Sequence, residues 1–211
     1  MNVHINVIGK ENIPPEGRFI FASNHPLGAL DGVALIRFFG HFYSGKIKFL
    51  VNDLLMHIKP LAPVFLPINK YGSQAKESSL QINNAYESDE QMLIFPAGLC
   101  SRLQHGKIKD LEWKKTFIAK AVQSQRDIIP IYFEGRNSTF FYRFAQIRKC
   151  IGLKFNIELI YLPDEMFNSK NKTFDIYIGK PIPWQTFDKS KSLQEWAQIV
   201  KEKVYQIKKN Q

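Results

Sequence analysis

Short apolar runs alternate along this chain with longer stretches whose apolar residues recur at helical spacing. Val3, Ile5 and Val7 alternate with polar neighbours, which predicts a strand over residues 3–8 with one covered face. Residues 9–17 hold two glycines and Pro14-Pro15 and read as a loop. Arg18-Phe19-Ile20-Phe21-Ala22 is the kind of run a strand buried on both faces needs, and it stops at Ser23-Asn24-His25-Pro26. A helix is expected from Asp31 to Phe42, a strand over 46–51, a short helix over 52–57 and a strand over 64–68 that ends in Asn69-Lys70-Tyr71-Gly72. Ser73 stands where a helix running to Glu87 would want its N-cap.

The second half repeats the alternation. Residues 91–95 predict a strand, 96–106 a loop and 113–125 a helix. A strand over 128–133 ends before Gly135, and a helix rich in aromatic and basic residues spans 140–151. Residues 155–162 and 173–178 read as strands. Residues 192–209 form a final helix, with Leu193, Trp196, Ile199, Val200, Val204 and Ile207 as its apolar stripe. Strands interleaved with helices predict an α/β fold with a mainly parallel central sheet flanked by helices. No linker, repeat or low-complexity run divides the chain, so residues 1–211 are expected to form a single domain. Sites in such sheets form beyond the carboxyl ends of strands, which singles out the loops after Ala22, Ile68 and Phe95.

Composition changes this picture in two respects. Apolar residues at 45% and charged residues at 23% exclude a largely disordered chain. Aromatics, however, reach 13%, and the formal charge is +10. A basic protein attracts nucleic acid, anionic lipid or acidic substrates. Lys and Arg interleaved with Phe favour an anionic membrane surface, and no nucleic-acid-binding motif is present. The start of the chain lacks a basic and then apolar leader, and no apolar run approaches the ~20 residues of a membrane span. The expected placement is therefore peripheral. Within residues 140–149, Phe140, Phe141, Phe144, Arg148 and Lys149 are the expected membrane contacts. The same aromatics suit a buried core equally well. Cys100 and Cys150 make neither a disulfide framework nor a metal set, and no metal or bound cofactor is expected.

The candidate chemistry lies in the first of the three loops. His25 directly follows a buried strand, and Pro26 and Gly28 force a turn that returns Asp31 toward the ring. A carboxylate on one imidazole nitrogen fixes the tautomer and stabilises the cation formed when the other nitrogen takes a proton, which makes a general base for a hydroxyl. Taken alone, the pair is equally an N-cap and a turn residue. In the third loop, Gly98 lets backbone N–H groups approach an anion, and the Arg102 fork suits a phosphate or carboxylate. Cys100 reads as a small filler. Asp110, Glu112, Lys114 and Lys115 read as a solvated face, and Lys107, Lys109, Lys114 and Lys115 as a basic set that attracts acidic partners.

Four segments in order carry a resemblance. Asn24-His25 with Asp31-Gly32 resembles the N-H-x-x-x-x-D block of the glycerolipid (lysophospholipid) acyltransferases, the glycerol-phosphate acyltransferase superfamily. Phe65-Leu66-Pro67-Ile68-Asn69-Lys70 lies where that family has its second block. Residues 95–102, Phe-Pro-Ala-Gly-Leu-Cys-Ser-Arg, resemble its F-P-E-G-x-x-S-R block, and Ile128-Ile129-Pro130-Ile131 its fourth, a strand ending in proline. The resemblance implies transfer of a fatty acyl group from an acyl-carrier protein or coenzyme A thioester to a lipid hydroxyl, at the cytoplasmic face of the inner membrane. His25 would be the base and Asp31 its orienter, with Asn24, Asn69, Lys70, Phe95, Pro96, Gly98, Ser101 and Arg102 around the substrates. Three departures stand out: His25 and Asp31 are one residue further apart, Ala97 replaces the family's Glu, and the second block lacks its Arg. Together they imply an altered acceptor. The pattern is most similar to the bacterial hemolysin-like or aminolipid O-acyltransferase branch, whose acceptor is an N-(3-hydroxyacyl) amino acid with a free carboxylate. Two rivals remain: a hydrolase using the same pair, against which the lack of a Gly-x-Ser-x-Gly elbow counts, and a basic lipid-binding protein with degenerate motifs.

Overall fold

The computed structural model describes residues 1–51, 55–56, 58–68, 74–153 and 155–209. Asn69, Lys70, Ser73 and most of the short helix expected over 52–57 lie outside them. In chain order the elements are β1 (His4–Ile8), β2 (Phe19–Ser23), α1 (Leu30–Phe42), β3 (Ile47–Val51), β4 (Phe65–Pro67), α2 (Gln74–Glu87), β5 (Gln91–Ile94), β6 (Arg102–Gln104) and β7 (Lys107–Lys109). They continue with α3 (Thr116–Ser124), β8 (Asp127–Phe133), α4 (Thr139–Cys150), α5 (Leu162–Phe167), β9 (Thr173–Ile178) and α6 (Leu193–Gln206).

One seven-stranded sheet runs β1-β9-β8-β2-β5-β3-β4. Strands β8, β2, β5, β3 and β4 are parallel, β9 is antiparallel to β8, and β1 is parallel to β9. The mainly parallel sheet expected from the alternation is what forms. Its central strands are covered on both faces. Phe21 and Leu93 pack with Leu35 and Phe39 of α1 on one side. Ile20, Ala22 and Met92 pack with Ile118 and Ala121 of α3 and Ala197 and Val200 of α6 on the other. This two-sided burial is why β2 and β5 read as continuous apolar runs and not as alternations. α6 starts with a capping box, Ser192 with Glu195.

Three expectations are corrected. Residues 155–162, rich in strand formers, join no sheet among the described residues. They form a 3-10 turn (Ile157–Tyr161) that runs into α5, with Pro163 in its first turn. The cause is tertiary: Glu158 turns inward to pair with Arg102 and Arg148, at 2.9 and 2.8 Å. Residues 96–106 are not all loop, because β6 and β7 form a hairpin. His105 and Gly106, both at positive φ, make the turn that matches strand twist. Pro130 lies inside β8 and not at its end. Its carbonyl accepts from Gly179 N–H just beyond β9, so its missing N–H falls where the β9 ladder has already stopped.

Candidate active site

β2 and β5 are sheet neighbours running in the same direction, so the residues just past their ends meet. The His25 ring stacks on Phe95, centroids 3.8 Å apart and planes 16° apart, and Phe95 meets Phe49 edge-on at 5.3 Å. His25 Nδ1 lies 3.0 Å from Asp31 Oδ2. Asp31 is fully buried in the first turn of α1 and accepts N–H groups from Leu27 (2.9 Å), Gly28 (3.4 Å) and Gly32 (2.9 Å). The loop thus wraps its own carboxylate, which is how the longer His–Asp spacing is absorbed. Gly28 sits at φ +80, and a Cβ there would lie 2.8 Å from Leu162 and 3.1 Å from Cys100. Both the conformation and the space demand glycine. With Nδ1–H given to Asp31, the lone pair sits on Nε2, which has no partner among the described residues, on a side chain 14% exposed.

The main chain of His25 is clamped as well. Its N–H donates to Asp110 Oδ1 (3.2 Å), and its carbonyl accepts from Ser101 N–H (2.7 Å). Asp110 is buried and also accepts from the Ser101 hydroxyl (2.6 Å) and Trp113 Nε1 (2.9 Å). Its own N–H donates to Tyr205 Oη, and its carbonyl accepts from Lys201 Nζ, which ties α6 to the site. Burial pushes the Asp110 pKa up, against the hydrogen bonds from Ser101, Trp113 and His25 that pull it down. The expected solvated face is therefore wrong for Asp110. A sequence signal existed: a Trp three residues on needs an acceptor for its N–H if it is buried.

The other expected site residues divide. Phe95 stacks on the His25 ring. Pro96 is buried, and its carbonyl accepts from Lys114 N–H. Gly98, at φ +69, closes a turn onto the Phe95 carbonyl, and a Cβ on it would lie 2.6 Å from Lys114 Nζ, so the ammonium lies across this block. Ala97 is buried in the apolar layer with Ile94, Trp113 and Phe117. Asn24 is not free for a substrate: its amide donates to the Phe133 carbonyl and its oxygen accepts the Phe133 N–H, a strap between the ends of β2 and β8. Ser101 is likewise spent on Asp110.

Arg102 is no open anion fork. It holds Glu158, the Cys100 carbonyl and the Cys100 sulfur, and it lies over the Phe141 ring. Cys100 is buried, and burial pushes its thiol pKa up, as suits a filler. Among the expected membrane contacts, Phe141 is fully buried and Arg148 turns in to Glu158, while Phe140 and Lys149 are exposed and Phe144 stacks on Phe140. Among the described residues no three His, Cys, Asp or Glu side chains are grouped as metal ligands.

The sequence pattern of the family described as Acyltransferase matches residues 2–211. The chain belongs to that family. It is 55% identical over 207 residues to the lyso-glycine lipid O-acyltransferase of Bacteroides thetaiotaomicron, covering 98% of this chain and 76% of that one. The protein of the same description from Phocaeicola vulgatus is 52% identical, with 98% and 74% covered. In structure the acyltransferase is similar to the 1-acyl-sn-glycerophosphate (LPA) acyltransferase PlsC from Thermotoga maritima, with a TM-score of 0.59, 20% identity, and 97% and 72% of the chains covered. That likeness speaks to the fold.

In this acyltransferase the clamp on His25 has a measurable consequence. Asp110→Asn sets an amide N–H₂ against one of the three donors that Asp110 now accepts. The His25 loop then shifts. We expect kcat to fall by about 10–100-fold, the cost of misplacing a catalytic group by about 1 Å. Steady-state kinetics beside a melting curve check this; an unchanged kcat would show that the clamp does not set the ring's position.

Proposed function

We propose that this enzyme moves a fatty acyl group from an acyl-carrier protein or coenzyme A thioester to the hydroxyl of a lysolipid, most specifically an N-(3-hydroxyacyl) glycine, at the cytoplasmic face of the inner membrane. The observation that carries the chemistry is the His25–Asp31 pair, with Nδ1 held and Nε2 open. The acceptor O–H meets Nε2, which takes its proton as the oxygen attacks the thioester carbonyl. The C–S bond of the tetrahedral intermediate then breaks, and the leaving thiolate recovers the proton from His25. Asp31 keeps the ring oriented and balances its charge while it is cationic. The named relatives support the glycine lipid acceptor. Two features of the site agree with it: the block carries no carboxylate at Ala97 to repel an acidic acceptor, and the Lys114 ammonium beside Gly98 supplies charge for a carboxylate or for donor phosphates. No helix among the described residues is long and apolar enough to cross a membrane.

The test offers labelled acyl-carrier protein thioester with lysophosphatidic acid, other lysophospholipids and N-(3-hydroxyacyl) glycine to wild type and His25→Ala. Transfer to the glycine lipid, lost in the variant, is the expected result. Transfer to lysophosphatidic acid would keep the reaction class and overturn the acceptor. Absence of any His25-dependent transfer would favour a lipid-binding protein with degenerate motifs.

A further inference from the structure

The exposed large apolar side chains concentrate in one stretch that contributes nothing to the sheet. Between the end of α4 and the end of α5, Ile151, Phe155, Ile157, Ile160 and Phe167 all face outward, Phe155 at 82% and Ile160 at 73% exposure. The inner face of the same stretch is built into the site. Leu159 and Leu162 pack on Cys100 and Phe141, Leu162 contacts Gly28 of the catalytic loop, and Glu158 pairs with Arg102 and Arg148. Among the described residues nothing covers the outer face, and exposed apolar side chains gathered in one stretch of this kind mark an interaction site.

Charge selects the occupant. Between residues 139 and 172, the exposed charges among the described residues are Arg143, Lys149, Lys170 and Lys172 against Asp164 alone. The remaining acids turn inward: Glu158 to its two arginines, and Glu165 to the Ser138 N–H and hydroxyl. An apolar patch with basic neighbours suits the headgroup boundary of an anionic bilayer. A second copy fits worse, because an isologous pairing sets the same positive charges face to face. We propose that Ile151, Phe155, Ile157, Ile160 and Phe167 dock the enzyme on an anionic lipid bilayer. The docking element and the wall of the catalytic loop are then one piece of chain, Leu162 to Gly28, so a lysolipid reaches His25 directly from the bilayer. The inference rests on the lipid acceptor proposed above. It also moves the membrane contact off the inner face of α4, where Phe141 and Arg148 are turned into the protein.

The test is co-sedimentation with vesicles of phosphatidylcholine alone and of phosphatidylcholine mixed with phosphatidylglycerol. It compares wild type, Phe155→Asp with Ile160→Asp, and Leu80→Asp as an exposed apolar control on α2. Wild type and the Leu80 variant are expected to bind the anionic vesicles and to be released by salt. The double variant should bind at least about tenfold less, since each buried methylene lost is worth several-fold in partitioning, while its turnover of a short-chain, water-soluble acceptor stays unchanged. Equal vesicle binding by the double variant overturns the proposal. So does a wild type that ignores vesicles but changes from dimer to monomer on the double substitution, which would assign the face to a second copy. Failure of the acyl-transfer reading shows separately, as absence of turnover with vesicle binding intact.

Discussion

Replacing His25 with alanine is expected to slow acyl transfer by about 10²–10⁴-fold, the usual worth of a positioned general base. The ring has an unshared nitrogen at the carboxyl edge of the sheet; Asp31 and Phe95 hold the ring itself, and Asp110 holds the main-chain N–H behind it. The backbone loses nothing, since the His25 N–H and carbonyl keep Asp110 and Ser101. Stability should therefore drop by only about 1 kcal/mol, typical of a single substitution. Single-turnover kinetics and urea unfolding on the same preparation separate the two effects. A variant that retains turnover would assign the proton transfer to another group. Asp31→Asn should cost less in rate and more in stability, because its carboxylate also collects three backbone N–H groups.

The second large effect lies outside the site. Arg126 is fully buried, just before β8, and its guanidinium donates to the carbonyls of Tyr86 (2.9 Å), Glu90 (2.7 Å) and Ala85 (3.2 Å). These are the carbonyls that the end of α2 and the turn into β5 leave without helical partners. Burial brings the Arg126 pKa down to about 10, so it stays charged at neutral pH. Arg126→Met fills similar space and takes their donor from the Tyr86 and Glu90 carbonyls, while the Ala85 carbonyl keeps the Ser88 hydroxyl. An unfolding loss of about 3–5 kcal/mol is expected, the scale for removing one partner from a buried charged network. Arg126→Lys should recover part of it, because an ammonium reaches fewer acceptors. Urea denaturation measures both, and a loss under about 1 kcal/mol for the methionine variant would mean that the turn does not depend on this side chain.

Much of the fold was legible locally. β2, β5 and β8 are apolar runs bounded by polar or turn residues, and α1 and α6 carry amphipathic spacing with recognisable starts. His25 and Asp31 were legible because a turn of glycine and proline must bring them together within one loop. Residues 155–162 carry β-branched and aromatic content but have no partner strand among the described residues. An inward Glu158 facing two arginines decided the matter. Arg102 is the parallel case: a guanidinium in a glycine-rich block looks free until its carboxylate, 56 residues away in sequence, is placed.

By itself the amino-acid sequence determined the class of fold, the order of strands and helices, and the position of a histidine just beyond a buried strand. Hydrophobic periodicity and turn chemistry act over a few residues and are written in order. Only the tertiary structure decided that β2 lies beside β5, which stacks Phe95 on His25. It alone made Asp110 a buried clamp and not a surface charge, and turned Phe141 inward while Phe155 and Ile160 face out. Those outcomes depend on which distant segments share a desolvated space, where a buried charge must find its partner, and no local pattern carries that information.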